Sequence, residues 1–512
     1  MSIDLINIIF GMKIRQARTD ANLTLSEFAA QAELSPSYVT EIEKGRKYPR
    51  ADKILKMAQV LGRDYDSLVS IKLDPSMAYL ESTLSSSILR NFPFQEFGLG
   101  AEDLVNLLTR EPDKASALLH AILEIGRRYA LTEEQFLRAA LRSYQEIREN
   151  YFPSLEEAAV SFRQQFGEKY QFAATTPISR RTLETILQEV YGYVIDTTLI
   201  QEHPELGKYR TVFFQGKQPR LLINPALYER QARFLLAREL GYQFLGLTER
   251  STTSTPDQIQ SFQQILNDFK AAYFAGAVLM PRTAVLDDLQ RFFNLPTWDP
   301  RPLEQMLTAY HVTPEMLLYR FSELIPQFFG IKLHFLRFHH TRGSRTYQLI
   351  KQLNMNRLLV PSGIGLHEHH CRRWLSIRLL QELEEHITEQ AVQNLTMDDV
   401  PAGVQMSEFL DSRDRFLCIG FARPLVLSPN VNSSVIVGFR VDAELKNIIR
   451  FMDDPAIPQR IINETCERCP LTAEQCQMRA VTPVLLEAQQ HERERKVTLD
   501  RLKAMFRAER NS

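Results

Sequence analysis

A mainly α fold with α+β parts is what three features of the sequence predict. Residues 10–45 carry apolar side chains at helical spacing, with a capping signal before the second and third runs. Residues 76–170 are rich in Leu, Ala, Glu and Arg at the same spacing and hold few glycines. Short strand-like runs bounded by turn residues then appear at 194–223 and again at 331–441. A chain of 512 residues has room for roughly three or four domains. The boundaries fall at 1–70, 76–172, 173–325, 326–486 and 487–512, the last a charged tail expected to be helical.

The composition, 44% hydrophobic and 24% charged, is that of an ordinary globular protein and excludes a disordered or fibrous chain. Charged residues break every apolar run before the ~18 residues a bilayer span needs. Met1-Ser2-Ile3-Asp4 lacks the basic region of a signal peptide, so a soluble, cytoplasmic protein without a membrane partner is expected. The net charge of −1 rules out a general polyanion binder. A local patch can still neutralise phosphates. Lys44, Arg46, Lys47 and Arg50 form such a patch, with no acidic residue among them.

In the first 70 residues the second and third helices have start signals. Residues 10–22 read as an amphipathic helix with Phe10, Ile14 and Ala17 on one face and Lys13, Arg15 and Arg18 exposed. Thr24 followed by Glu27 is a capping box for a second helix. Ser35 caps a third, with Pro36 at its first position, and Gly45 ends it. Val39 and Ile42 then face inward, and Ser37, Tyr38 and Thr40 outward. Two short helices joined by a turn of roughly three or four residues make a helix-turn-helix, whose second helix enters the major groove.

Thr24-Leu25-Ser26-Glu27-Phe28-Ala29, with Leu34-Ser35-Pro36-Ser37-Tyr38-Val39-Thr40-Glu41-Ile42-Glu43-Lys44-Gly45-Arg46-Lys47, resembles the XRE (phage repressor-like) helix-turn-helix over residues 8–68. Leu25 departs from that family, which often has Gln there. The resemblance implies that Pro36, Ser37, Tyr38 and Thr40 face base edges, and that Lys44, Arg46 and Lys47 meet phosphate. It implies a double-stranded DNA operator as partner and a homodimer reading half-sites about 10 bp apart. A protein-interaction module with the same fold is the alternative.

Residues 76–172 read as a helical connector that also supports dimerisation, with helices at 101–108, 115–129 and 132–149. Strands follow at 194–196, 210–214 and 220–223, then helices at 229–245 and around 271–281. This part resembles the ImmA/IrrE metallopeptidase domain. There a helix carries His-Glu-x-x-His, because zinc proteolysis needs two imidazoles at i and i+4 and a Glu as base. Here those positions hold Arg238 and Tyr242, with Glu239 retained, and the third-ligand region is Asp268-Phe269-Lys270. A guanidinium offers no lone pair to a metal. The resemblance therefore implies a zincin-like fold that has lost its metal, has no catalytic residues, and keeps a cleft for an effector. The alternatives are a cleft that is scaffold only, or a zinc-dependent endopeptidase that cleaves a repressor.

Strand-like runs at 331–338, 416–421 and 434–441 and a helix at 374–385 mark a C-terminal α+β domain. Cys466, Cys469 and Cys476 stand as Cys-x2-Cys-x6-Cys, a spacing that lets one loop aim three thiolates at a common centre. Cys418 lies in an apolar strand and reads as a core residue. Cys371, in a polar, loop-like stretch with His369 and His370 beside it, suits a fourth ligand. This layout, with Trp374 after the lone Cys and Arg479-Ala480 after the third of the cluster, resembles the short-chain fatty acyl-CoA regulators of propionate, acetate and glyoxylate metabolism. The resemblance spans nearly the whole chain, and the Cys469 to Cys476 spacing is longer than that family's commonest form. It implies a 4Fe–4S cluster on Cys371, Cys466, Cys469 and Cys476, with a structural zinc as the alternative, and acyl-CoA or a related effector. The function so implied is a transcription regulator responding to a metabolite or to redox state. An antitoxin-like autorepressor is the remaining alternative.

Overall fold

A computed structural model describes residues 5–70, 94–98, 132–173, 176–254, 259–356, 358, 368–386, 401–472, 474–480, 490–492 and 494–501. The helices expected at 101–108 and 115–129 lie outside these residues, as does most of the charged tail, whose described part is helical. The chain divides into two compact units: residues 1–144 with 258–262, and residues 145–257 with 263–512. No helix among the described residues is long and apolar enough to cross a membrane.

The first unit holds α1 (Leu5–Asp20), α2 (Leu25–Gln31), α3 (Pro36–Glu43), α4 (Ala51–Leu61) and α5 (Tyr65–Val69). Phe10, Ile14 and Ala17 of α1 pack on Phe28, Val39, Ile42, Ile54, Met57, Leu61 and Leu68 in one core. Helix α1 crosses α3 so closely that a Cβ on Gly11 would lie 2.3 Å from the carbonyl oxygen of Ile42. The first helix starts earlier than its periodicity indicates. Its cations are also not exposed as expected: Lys13, Arg15 and Arg18 are half-buried. Lys13 donates to the carbonyls of Ser67 (2.8 Å) and Ser70 (2.5 Å), at the C-terminal end of α5 where a cation is favoured. Arg18 pairs with Glu43 at 2.6 Å.

The predicted helix at 132–149 is α6 (Glu133–Ile147), with Thr132 and Gln135 bonded reciprocally at its start. In the second unit, α7 (Pro153–Gly167), assigned above to the connector, packs on the peptidase-like helices. Phe162 stacks edge-on against Phe244 and Phe274. Arg163 donates to the carbonyls of Val278, Ala173 and Thr176 at 2.5–2.7 Å. Helix α8 (Arg180–Tyr191) precedes a three-stranded sheet in the order β1 (Val194–Asp196), β3 (Arg220–Ile223), β2 (Thr211–Phe214), with β1 parallel and β2 antiparallel to β3. Helices α9 (Glu229–Phe244) and α10 (Phe262–Leu279) then approach at Gly241, where a Cβ would stand 3.0 Å from the Ala271 carbonyl oxygen.

Three further helices, α11 (Arg282–Phe293), α12 (Arg301–Tyr310) and α13 (Pro314–Phe329), lead into a six-stranded sheet. Its strands are β4 (Leu333–Thr341), β5 (Gln348–Asn354), β6 (Gly403–Phe409), β7 (Arg415–Leu425), β8 (Ser428–Arg440) and β9 (Gln459–Ile462), in the spatial order β5-β4-β8-β7-β6-β9. All pairs are antiparallel except β6 with β9. Side chains alternate along each strand. Phe335, Leu417 and Val437 face the α11–α13 core, while Leu336, Cys418 and Ile436 face α14 (Leu375–His386). Cover on both faces explains why Phe416–Ala422 of β7 and Val435–Phe439 of β8 read as nearly continuous apolar runs.

Candidate nucleic-acid interface and the altered metal site

The recognition helix is built by its caps. Thr24 Oγ1 accepts from the Glu27 amide at 3.2 Å, and the Thr24 amide donates to the Glu27 carboxylate at 2.8 Å, closing the capping box of α2. Ser35 Oγ accepts from the Tyr38 amide at 3.2 Å, with Pro36 at the first turn of α3. At the other end Gly45 takes φ +67°. The Gly45 amide donates to the Ile42 carbonyl and the Arg46 amide to the Glu41 carbonyl, both at 2.9 Å. That pair of bonds is a Schellman closure, which needs a residue at ease in the left-handed region. It turns the chain so that Arg46 and Lys47 emerge directly after the helix.

Pro36, Ser37, Arg46 and Lys47 are exposed, while Tyr38, Thr40 and Lys44 are half-buried. Thr40 Oγ1 donates back to the Pro36 carbonyl at 2.8 Å. The Tyr38 ring carries Lys53 Nζ at 4.2 Å and Lys47 Nζ at 5.7 Å. Lys53, on α4, therefore joins the basic surface although nothing in the sequence pattern marked it. Arg46 pairs with Glu41 at 3.2 Å across an exposed face. Such a pair is worth roughly 0–1 kcal/mol and exchanges readily for a phosphate.

In the second unit α9 places Arg238 and Tyr242 at i and i+4 on one face, with α10 presenting Asp268 opposite. Arg238 Nη2 lies 3.0 Å from the Tyr242 hydroxyl and 3.5 Å from the Asp268 carboxylate. The Tyr242 hydroxyl donates to Asp268, and Ser251 Oγ donates to its other oxygen at 2.9 Å. Arg238 Nη1 donates to the Ser254 carbonyl at 3.1 Å. Burial opposes the Arg238 charge, yet Tyr242 and Asp268 hold it firmly protonated. Burial, with the Asp268 carboxylate beside it, keeps the Tyr242 phenol un-ionised.

Glu239 is buried, and Arg250 takes both its oxygens at 2.6 and 2.8 Å. The Arg250 guanidinium also lies 3.7 Å from the Phe213 ring and 3.9 Å from the Tyr242 ring. Two guanidiniums thus balance two carboxylates where a peptidase of this fold would hold a divalent ion and a free base. Arg250 had no signature in the sequence, because it lies outside the helix that carries the motif. A cleft of about 380 Å³ opens beside this cluster, lined in part by Gln215, Tyr242, Arg250 and Thr252.

All four candidate cysteines are buried, Cys371 among them, although its surrounding sequence is polar. The segment 369–371 runs against 464–466: the Cys371 amide donates to the Glu464 carbonyl at 3.2 Å, and the Cys466 amide to the His369 carbonyl at 2.8 Å. Burial pushes the Cys371 thiol up to about 11, with the Cys466 and Cys469 thiols adding to it. Arg479 donates to the carbonyls of Cys466 (3.1 Å) and Cys469 (3.0 Å), and its amide to that of Cys476 (3.1 Å). The Trp374 indole donates to the Asn463 carbonyl at 2.8 Å. The fold therefore gathers residues of one neighbourhood from two distant stretches. Among the described residues no three His, Cys, Asp or Glu side chains are disposed to hold a metal ion in this structure. His369 is engaged by Glu467 at 2.7 Å, and His370 packs against Phe338 and Trp374. Cys418 is a core residue, its thiol pushed up to about 12 by burial.

Comparison with known proteins agrees with this layout. The helix-turn-helix family profile matches residues 14–68, and the IrrE N-terminal-like domain profile matches residues 195–322. The chain is 24% identical over 349 residues to the HTH-type transcriptional regulator RamB of Mycobacterium tuberculosis, covering 64% of this chain and 68% of that one. It is 33% identical over 58 residues to control protein C.BamHI of Bacillus amyloliquefaciens, covering 11% of this chain and 72% of the relative. A solved Mycobacterium tuberculosis transcriptional regulator overlaps with a TM-score of 0.44 and 16% identity, over 66% of this chain and 92% of that one, a likeness too loose to argue from. With the capped recognition helix and the two matched domains in place, the chain belongs to the XRE-type helix-turn-helix transcription regulators and carries an ImmA/IrrE-like domain.

Proposed function

We propose that this regulator reads a specific operator through α3 as a homodimer and that its second unit senses a metabolite, redox state or both. The observation that carries the first half is the Schellman-closed end of α3, which leaves Ser37 exposed on the helix and Arg46 and Lys47 exposed beyond it. Base edges then fall to Pro36, Ser37, Tyr38 and Thr40, and phosphates to Lys44, Arg46 and Lys47.

The second half draws support from the altered peptidase site. A general base must have an oxygen free for water, and both oxygens of Glu239 are held by Arg250. A fold with its chemistry closed off and a cleft still open suits an acyl-CoA-like effector better than peptide hydrolysis. Four buried thiols have the chemistry of a thiolate-bound group, although no three of them are gathered on one point in this structure. Cys371, Cys466, Cys469 and Cys476 would hold it, a 4Fe–4S cluster in this reading, and it would supply redox responsiveness.

Operator selection from random duplexes, followed by footprinting, tests the reader. Enrichment of one motif with half-sites about 10 bp apart is expected; no enriched motif contradicts it. Anaerobic purification with iron, sulfide and zinc analysis tests the cysteines: matched iron and sulfide are expected, and stoichiometric zinc without colour contradicts the cluster. Zinc-dependent cleavage of a repressor that Glu239→Gln abolishes would overturn the non-enzymatic reading.

A further inference from the structure

We propose that the second unit contains a binding site for a small organic polyanion, whose acidic oxygens sit on Arg210, Arg337 and Lys351. A cavity of about 330 Å³ lies within this unit, and these three cations line it together with Arg423 and Glu315. The volume is at the small end of the range of about 300–1,000 Å³ for bound small molecules, so the ligand is compact.

The charges around the cavity do not balance. Arg423 is buried and pairs with Glu315 at 3.0 Å. Arg320 is consumed by Glu156 (2.6 Å) and Glu323 (2.8 Å). Burial, only partly offset by the shared guanidinium, raises Glu323, whose carboxyl is already engaged by Arg320. Arg337 donates Nε to the Ser433 hydroxyl at 3.2 Å and has no carboxylate to itself. Lys351 Nζ stands 3.6 Å from the centre of the Tyr319 ring, and the carboxylate near it, Glu323, is already paired with Arg320. The Arg210 guanidinium has no hydrogen-bond partner among the described residues. Burial, with Arg337 beside it, brings it down to about 10. Glu315 is the carboxylate that faces Arg210, Arg337 and Arg423. Arg210 and Arg337 are half-buried and Lys351 is exposed at the cavity. Crowding like charges around so few carboxylates is unfavourable, and a ligand with two or three acidic oxygens supplies counter-charge.

Phe234, Leu235, Met316 and Phe335 also line the cavity and offer apolar contact to a short carbon skeleton. Leu235 lies one turn before Arg238 on α9, and Ser254, whose carbonyl accepts from Arg238, lines the same cavity. The site therefore adjoins the altered metal cluster. This inference deepens the proposal that the second unit senses a metabolite, and rests on it for its biological meaning though not for binding itself.

Calorimetric titration of the full chain with inorganic phosphate, succinate, citrate and acetyl-coenzyme A, each separately, tests it. At least one of these binds one per chain. Lys351→Met and Arg337→Gln, with unfolding curves confirming the fold, each weaken that binding by about tenfold or more, the loss of one charge-assisted contact. A carboxylate winner and a phosphate-bearing winner both support the anion site and name its source. No binding by any probe, or binding that both variants leave unchanged, overturns it. Operator affinity measured with and without the bound probe separates the two claims. Binding without an operator response keeps the site and removes the sensing role; a response that survives both variants removes the site and keeps the role.

Discussion

Basic side chains in the reader and in the peptidase-like unit do opposite things. Arg46 and Lys47 stand in solvent after α3, Arg46 beside the Glu41 carboxylate and Lys47 over the Tyr38 ring. Arg320 and Arg423 are buried in ion pairs, and Arg233 in a cage of backbone carbonyls from Ile178, Tyr310 and His311. The difference teaches where a cation's free energy is directed. An exposed pair contributes roughly 0–1 kcal/mol and is exchangeable. A buried guanidinium is fixed, because losing it strands its partner charge.

The largest test of that contrast is Arg320→Met. It leaves Glu156 and Glu323 facing each other in the core, and we expect a loss of about 3–5 kcal/mol in the unfolding of the second unit. Chemical denaturation of the full chain checks this; a loss under about 1 kcal/mol would show that these charges are not coupled as their contacts imply.

Acid sharpens the comparison from another side. His334 is fully buried on β4, its ring beside Asn356, and burial holds it down at about 4 against an ordinary imidazole near 6.5. The unfolded chain then takes up a proton that the folded chain refuses. The His334 contribution is full above pH ~6.5 and is lost as pH falls toward ~4, by on the order of 3 kcal/mol, and His339 and His370, also held down to about 4 by burial, add to the slope. His334→Gln should flatten that slope in denaturation curves run across this window; an unchanged slope assigns it elsewhere.

Gly11→Ala aims at the reader. The added methyl meets the Ile42 carbonyl at 2.3 Å, so α1 must move from α3 at a cost of about 1–3 kcal/mol. DNA binding should fall while the second unit's transition stays put; intact binding would mean that the crossing is not rigid.

Much of this was legible in the sequence where the physics is local. Thr24 with Glu27, Ser35 with Pro36, and Gly45 specify the starts and end of the reader's helices within a few residues, and each is found as read. The exposure of Lys13 and Arg18 was misjudged because their partners, Ser67, Ser70 and Glu43, come from other helices. Strands β5, β6 and β9 were missed, since polar and charged residues dilute their alternation: Lys351, Gln405 and Arg460 all sit in them. The substitution of Arg238 and Tyr242 for histidine was plain, but Arg250, which occupies Glu239, came from beyond the motif. Arg337 did leave a trace, as a lone charge in the apolar run of β4. Its neighbours Arg210 and Arg423 come from distant strands and loops, so the cavity could not be assembled from spacing.

The smallest effects divide the work within α3 and its following turn. Thr40→Ala should alter preference among operator variants by about 1–3 kcal/mol, read from competition binding; uniform losses on all sequences would contradict that assignment.

The most direct test of the central claim, that the exposed cations after α3 are phosphate contacts, is operator affinity measured across salt concentration for the wild-type chain and for Lys47→Ala. The slope of log K against log salt should become shallower by about one unit, with the order of preferred sequences unchanged. An unchanged slope, or a reordered preference, would place Lys47 off the DNA backbone and contradict the account.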